Sequence, residues 1–469
     1  MNKYKKLAAN TVVFAIGSIG SKILAFFLNR LYTASFRDGA KEFNVKGILE
    51  MFANFLIPIV TFSIQDAIIR YGLDKNYEQK AVFSNAVTVF KYGTAGILVL
   101  SPLLALYKDI RPYVPLLVLY IVVSGFRQIS TQFARARGFV KLYAADGIMC
   151  TFSLFVFNLI FVKAGSMGVT GFLLSVIGSD LLSGVTVWIA AKHRNFYSKK
   201  FVDRELLEVM LRFSVPLIPT ALLWIITGFS DQLFVRHIVS AEDAGIYNAA
   251  TKIPNLISMV STVFYMAWNM SAIAENDSAG RSKFYTQIFE AYQGMLTLAA
   301  GFIILASTVL NDMLLSTAQD QRYMESNLYT PLLVIAVLLM CYNQFLSSIY
   351  TVTKETKRSF QTSLIAAVLN LVLNAVMIPK FHVYGAVIAT FMSYFVCYLI
   401  RIVDTRRLIP FKVSHLRFAL NLGALLLLAV NQRTGWHLWI SIDWIVFAGL
   451  IALNCEPMLA TAKKILHRS

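Results

Sequence analysis

Apolar runs long enough to cross a bilayer recur along this chain from one end to the other, and that repetition restricts the fold more than any motif does. They begin near Leu7, Gly47, Ala81, Pro112, Tyr143, Met167, Leu211, Gly245, Phe284, Leu328, Phe360, Val383, His415 and His437. About twenty residues at 1.5 Å rise cover a hydrocarbon core ~30 Å thick. The pattern predicts an all-α polytopic membrane protein with about fourteen transmembrane helices. Composition agrees, since only 14% of the 469 residues are charged, against ~25% in soluble domains.

The net charge of +18 invites a nucleic-acid reading, but the cations sit in short clusters between apolar runs, which is how membrane topology is written. One set of loops carries Lys3, Lys5 and Lys6, then Arg135, Arg137 and Lys141, the run from Lys192 to Arg212, and Lys354, Lys357 and Arg358. The opposite loops hold scattered cations such as Arg37, Lys108 and Arg433. This asymmetry places both termini in the cytoplasm and the chain in the cytoplasmic membrane, with lipid and no nucleic acid as its surroundings. The start resembles a signal peptide's basic region, but Lys22 interrupts the apolar run behind it, so an uncleaved first span is expected.

Enzyme signatures are missing. The six histidines form no HExxH, no DxxD cluster or Walker loop occurs, and Cys150, Cys341, Cys397 and Cys455 stand singly. No loop has room for a soluble catalytic domain. A non-enzyme without cofactor or metal is expected.

The basic connection 192–212 divides the chain into a six-helix bundle at 1–191, a second at 213–410 and two further helices at 411–469. The halves match in rhythm: Gly47 opens the second span as Gly245 opens the eighth, and Gly171 has its counterpart in Gly385. Six spans are an even number, so the halves share an orientation and a pseudo-twofold would run along the membrane normal. That is the parallel-repeat plan of a transporter.

Charges inside spans cost roughly 2.5–3.5 kcal/mol each at the bilayer centre, so several together need a reason. Lys22, Lys91 and Arg127 lie near mid-depth on polar stripes (Ser18, Lys22, Asn29; Ser84, Thr88, Lys91; Ser124, Arg127, Thr131). Asp180 is the one acid that the count places at the same depth. One acid cannot pair fully with three cations, so a cationic cavity is expected, with Lys22, Lys91, Arg127, Asn29 and Asn255 as candidate substrate-binding residues. Asp180 and Asp231 are candidate proton or sodium sites. Stripes at Thr220, Trp224, Thr227, Asp231 and at Asn248, Lys252, Asn255 suggest the wall of a polar passage, with Asp231 and Lys252 as an interhelical pair.

The stretch from Arg212 to Ala272, including RFSVPLIPTALLWII, AGIYNAATKIPNLIS and FYMAWNMSA, resembles the second-half opening of bacterial polysaccharide flippases of the multidrug/oligosaccharidyl-lipid/polysaccharide exporter superfamily. NTVVFAIGSIGSKILAFFLNRLYT and LIPIVTFSIQDAIIRYG are similar to that family's first two helices. The resemblance implies two six-helix bundles, alternating access and transfer of undecaprenyl-pyrophosphate-linked oligosaccharide, with polysaccharide assembly proteins as partners. The family often has Asp followed by Arg where this chain has Asp231 and Gln232. Related drug exporters tend to carry an acid in the first helix, where this chain offers Lys22 and Arg30. The alternatives are a cation-coupled exporter of small organic molecules, a peptidoglycan-precursor flippase of the same superfamily, and, more remotely, a membrane glycosyltransferase or polymerase.

Overall fold

A computed structural model describes residues 28, 31, 32, 35, 39–108, 110–274, 280–314, 325–434 and 440–466. All regular structure among them is helical. The chain divides into two compact units between Leu222 and Leu223.

The first unit contains α1 (Gly39–Val60), α2 (Ile64–Gly72), α3 (Gln79–Leu104), α4 (Val114–Ala136), α5 (Val140–Asn158), α6 (Gly168–Ala190) and α7 (Arg204–Ser214). α1 and α2 follow one another with a bend of 51° at the break between them. The bend has a local cause, because Phe62 and Ser63 take positive φ (53° and 47°) just after Pro58. Thr61 caps the upstream helix by donating from both its N–H and its hydroxyl to the carbonyl of Ile57, at 2.9 and 2.8 Å. α3 crosses this bend closely. A β-carbon on Gly93 would stand 1.8 Å from the carbonyl oxygen of Val60, so only glycine permits the approach. Leu49, Ala53, Leu117, Ile121 and Leu173 fill the core where α1, α4 and α6 meet.

Residues 192–212, expected as a basic linker, pack onto the first unit. Short helical turns at His193–Phe196 and Lys199–Phe201 lead into α7, whose cap Asp203 accepts from the N–H groups of Glu205 (3.0 Å) and Leu206 (3.2 Å). α7 buries Leu206, Met210 and Phe213, one stripe at i, i+4 and i+7, against α2 and α3. His193 is wholly buried against Phe83, Phe133 and Trp188, and its Nε2 faces the carbonyl of Ser130 at 2.8 Å. Burial, with Arg137 nearby, pushes its pKa down to about 4.

The second unit holds most of α8 (Leu217–Ile238), then α9 (Ala241–Ala250), α10 (Asn255–Ala274), α11 (Arg281–Leu305), α12 (Ser307–Leu314), α13 (Ser326–Val352), α14 (Thr356–Phe381), α15 (Val383–Leu408), α16 (His415–Thr434) and α17 (Ile440–Leu466). The span expected from Gly245 is broken between α9 and α10 at residues 251–254, the last of which, Pro254, offers no backbone donor. α15 packs against α13 and α14. Trp268 anchors the other side, stacked on Phe345 at 4.6 Å while its Nε1 donates to Ser348 at 2.8 Å.

Ten described helices are long and apolar enough to cross a membrane, or eleven with the bent pair counted as one span. The first of the fourteen expected spans lies almost wholly outside the described residues. α16 and α17 are present but are not among those ten, and each spends polar residues on the other. The amides of Asn421 and Asn454 exchange bonds of 3.0 and 2.8 Å, and Asp443 accepts from Asn431 at 2.7 Å.

Candidate functional site

Each unit carries a polar cavity of about 550 Å³. In the first, α4 supplies Arg127 and α6 supplies Asp180 to the lining, with Asp146 of α5 buried behind the arginine. The guanidinium forks between the two acids, with Nη2 at 2.9 Å from Asp146 and Nη1 at 3.3 Å from Asp180. Its Nε donates to Ser183 at 2.6 Å, and Ser183 in turn donates to Asp146. Ser124 donates to Asp180, which also has the thiol of Cys150 at 3.4 Å. At another point of the cavity Lys46 pairs with Glu50 at 2.8 Å and lies over the rings of Tyr32 and Phe172.

This arrangement corrects two expectations. Arg127 is neutralised rather than left as a bare cation, because Asp146 joins Asp180. The sequence held a signal for this: Asp146, Cys150 and Ser153 stand at i, i+4 and i+7 in one apolar run. Lys91 is not brought to Arg127. It is exposed on α3, bonded to the hydroxyl of Tyr197 and 4.4 Å from that ring's centroid. Its stripe exists to receive the connection from α6, since Ser84 donates to the carbonyl of Phe196 at 3.2 Å and accepts from the N–H of Ser198 at 3.3 Å. Lys22 and Asn29 lie outside the described residues.

The second cavity is built differently. Asp231 of α8 is buried and accepts four bonds, all from neutral donors: Tyr247 (2.7 Å), Asn370 (3.1 Å), Asn374 (2.6 Å) and Thr390 (2.5 Å). Lys252 does not pair with it; the side chain is exposed at the break between α9 and α10. Asn255, Thr251, Ser258, Thr262, Gln344 and Ser347 add a hydroxyl and amide lining. Asn370 and Asn374 are one turn apart on α14, a spacing visible in the sequence but not singled out there. Arg401 is wholly buried in α15. It donates to the carbonyl of Asn343 (2.8 Å) and the hydroxyls of Thr362 (3.0 Å) and Ser363 (2.8 Å). No group of three or more His, Cys, Asp or Glu side chains that could hold a metal occurs among the described residues.

A family model described as polysaccharide biosynthesis protein matches residues 39–319, more than half of the chain. The chain belongs to this family. No curated protein matches it in sequence. Among solved structures, this chain is similar in fold to an outward-facing multidrug resistance MATE family transporter of the MOP superfamily, with TM-score 0.75, 13% identity, and 88% and 98% of the two chains covered. A MOP superfamily transporter from Pyrococcus furiosus, whose binding pocket is described as having reverse polarity, gives TM-score 0.74 at 13% identity over 87% and 97%. A mutant MATE transporter from Vibrio cholerae gives 0.72 at 12% over 86% and 96%. The chain is thus a multi-pass membrane protein with the two-bundle fold seen in transporters of the MOP superfamily.

Proposed function

We propose that this protein moves undecaprenyl-pyrophosphate-linked oligosaccharide across the cytoplasmic membrane by alternating access, for export of cell-surface polysaccharide. The observation that carries this reading is the lining of the second-unit cavity, with Thr251, Asn255, Ser258, Thr262, Gln344 and Ser347. Hydroxyls and amides placed inside a membrane protein suit the hydroxyls of a sugar, which lose water on entry and need partners. Membership of a polysaccharide biosynthesis family points the same way.

In the first unit Arg127 is the proposed pyrophosphate ligand, with Lys22 and Asn29 as partners carried over from the sequence. Its two acids hold the guanidinium until an anion replaces them, so substrate entry and ion-pair exchange are coupled. Protonation of Asp180 or Asp146 would release the arginine, which makes Asp180 one proposed coupling site. Asp231, whose donors are all neutral, is the other, for H+ or Na+. Polysaccharide assembly proteins are proposed partners, and both termini are proposed to lie in the cytoplasm.

One observation favours a second reading. The lining of the first cavity holds two cations (Lys46, Arg127) and two acids (Glu50, Asp180), and Asp146, buried behind Arg127, adds a third acid. An acid excess suits a cation-coupled exporter of small organic cations. Reconstitution in liposomes separates the two. The flippase reading expects lipid-linked oligosaccharide to become accessible to an added lectin on the opposite face, with no efflux of cationic dyes. Dye efflux without movement of the glycan establishes the exporter instead.

A further inference from the structure

We infer that a groove between α14 and α15 binds one anionic phospholipid of the membrane, at a site separate from either polar cavity. The groove is open and measures about 690 Å³. Arg358 and Arg407 stand at its head, Thr362 lines it, and Ile365, Leu399 and Val403 form its apolar walls. Below the head the outer face of α14 continues as an exposed stripe of Ile365, Val368, Val372 and Val376, at i, i+3, i+7 and i+11. Small β-branched side chains leave a shallow channel along a helix, into which an acyl chain can lie. Exposed apolar surface alone is ordinary for a membrane protein. A charged head on such a channel is not, because it gives the channel a polarity that matches a lipid from end to end.

Charge decides which lipid. Arg358 donates to Asp404 at 2.8 Å and reaches Glu355 at 3.5 Å, so much of its charge is already offset. Asp404 also accepts from the hydroxyl of Tyr350 at 2.9 Å, which fixes it in place. Among the groove's own residues the balance is two arginines against one aspartate, a net of one positive charge. That suits a single phosphodiester, as in phosphatidylglycerol, better than the diphosphate of a polyprenyl-linked sugar. The flanking cations Lys354, Lys357 and Arg406 add attraction at longer range without lining the groove.

The test uses the full-length protein purified in mild detergent, with retained lipid counted by native mass spectrometry after titration with phosphatidylglycerol or phosphatidylcholine. The wild type should retain one phosphatidylglycerol in preference to phosphatidylcholine. Arg407→Gln should weaken that retention about fivefold, the effect of one cation at a lipid surface, and Arg407→Lys should weaken it less. Val403→Trp, which fills the channel and keeps every charge, should also release the lipid. Arg407 and Val403 are both exposed, so neither change should prevent folding. Equal retention of the two phospholipids, or retention unchanged in both Arg407→Gln and Val403→Trp, overturns the inference. Displacement of phosphatidylglycerol by a polyprenyl diphosphate at equal concentration also overturns it, by assigning the groove to the transported class of lipid.

Discussion

The two polar cavities solve one problem in opposite ways. Each buries a carboxylate where water is scarce. In the first unit Asp146 and Asp180 are satisfied by a positive charge, Arg127. In the second, Asp231 is satisfied by two amides and two hydroxyls, none of them charged. Hydrogen bonds meet the lone pairs of a carboxylate, but neutral donors leave its charge uncompensated. The first site therefore shares one cation between two acids, and its ion pairs change when something replaces or protonates a partner. The second retains a demand for a proton or a small cation.

The largest effect expected from this contrast is on stability. Arg127→Gln leaves two buried acids facing each other and should cost about 3–5 kcal/mol, seen as a fall in folded protein after mild heating. Asp146→Asn in the same chain should recover part of the loss, and strictly additive losses from the two changes would rule out the coupling. Asp231→Asn should behave differently. An asparagine there can still accept from Asn370 and Asn374, while its amide donates to the hydroxyls of Tyr247 and Thr390, which can turn. The cost should stay within about 1 kcal/mol, and a loss as large as that of Arg127→Gln would erase the distinction between the sites.

The next effect concerns acid. His193 has a folded-state pKa near 4 against an ordinary 6.5, so the unfolded chain binds a proton that the folded chain refuses. Stability should fall as pH drops from about 6.5 to about 4, by up to about 3 kcal/mol, with no further loss from this group below that window. Hydrogen exchange of residues 192–203 across the window measures it, and His193→Phe should flatten the dependence. Smallest of all, Lys252→Gln should change stability by no more than about 0.5 kcal/mol, since Lys252 is exposed and makes no pair with Asp231. A larger loss in thermal unfolding would restore the interhelical pair that the sequence suggested.

The fold was legible because apolar length and loop charge are local properties that a single sequence displays directly. Most of the site was not, because what matters there is which helices face each other. The stripe of Ser84, Thr88 and Lys91 looks the same whether it lines a cavity or receives the connection after α6, and here it does the latter. Asp146 and Arg401 were hidden by position, each lying close to the end of an apolar run. Asp231 was visible as a lone acid in an apolar run, but its partners come from α9, α14 and α15. Only the packing of those helices shows that they are neutral.

The most direct test of the proposed function is translocation by the double variant Arg127→Gln with Asp146→Asn, compared with the wild type at matched membrane abundance. The double variant removes one cation and one anion, so the balance of the site is kept while the proposed pyrophosphate ligand is lost. The measurement is the appearance of lipid-linked glycan on the far face of reconstituted liposomes. The account predicts folded, abundant protein that no longer moves the glycan. Translocation at the wild-type rate in that variant would contradict it.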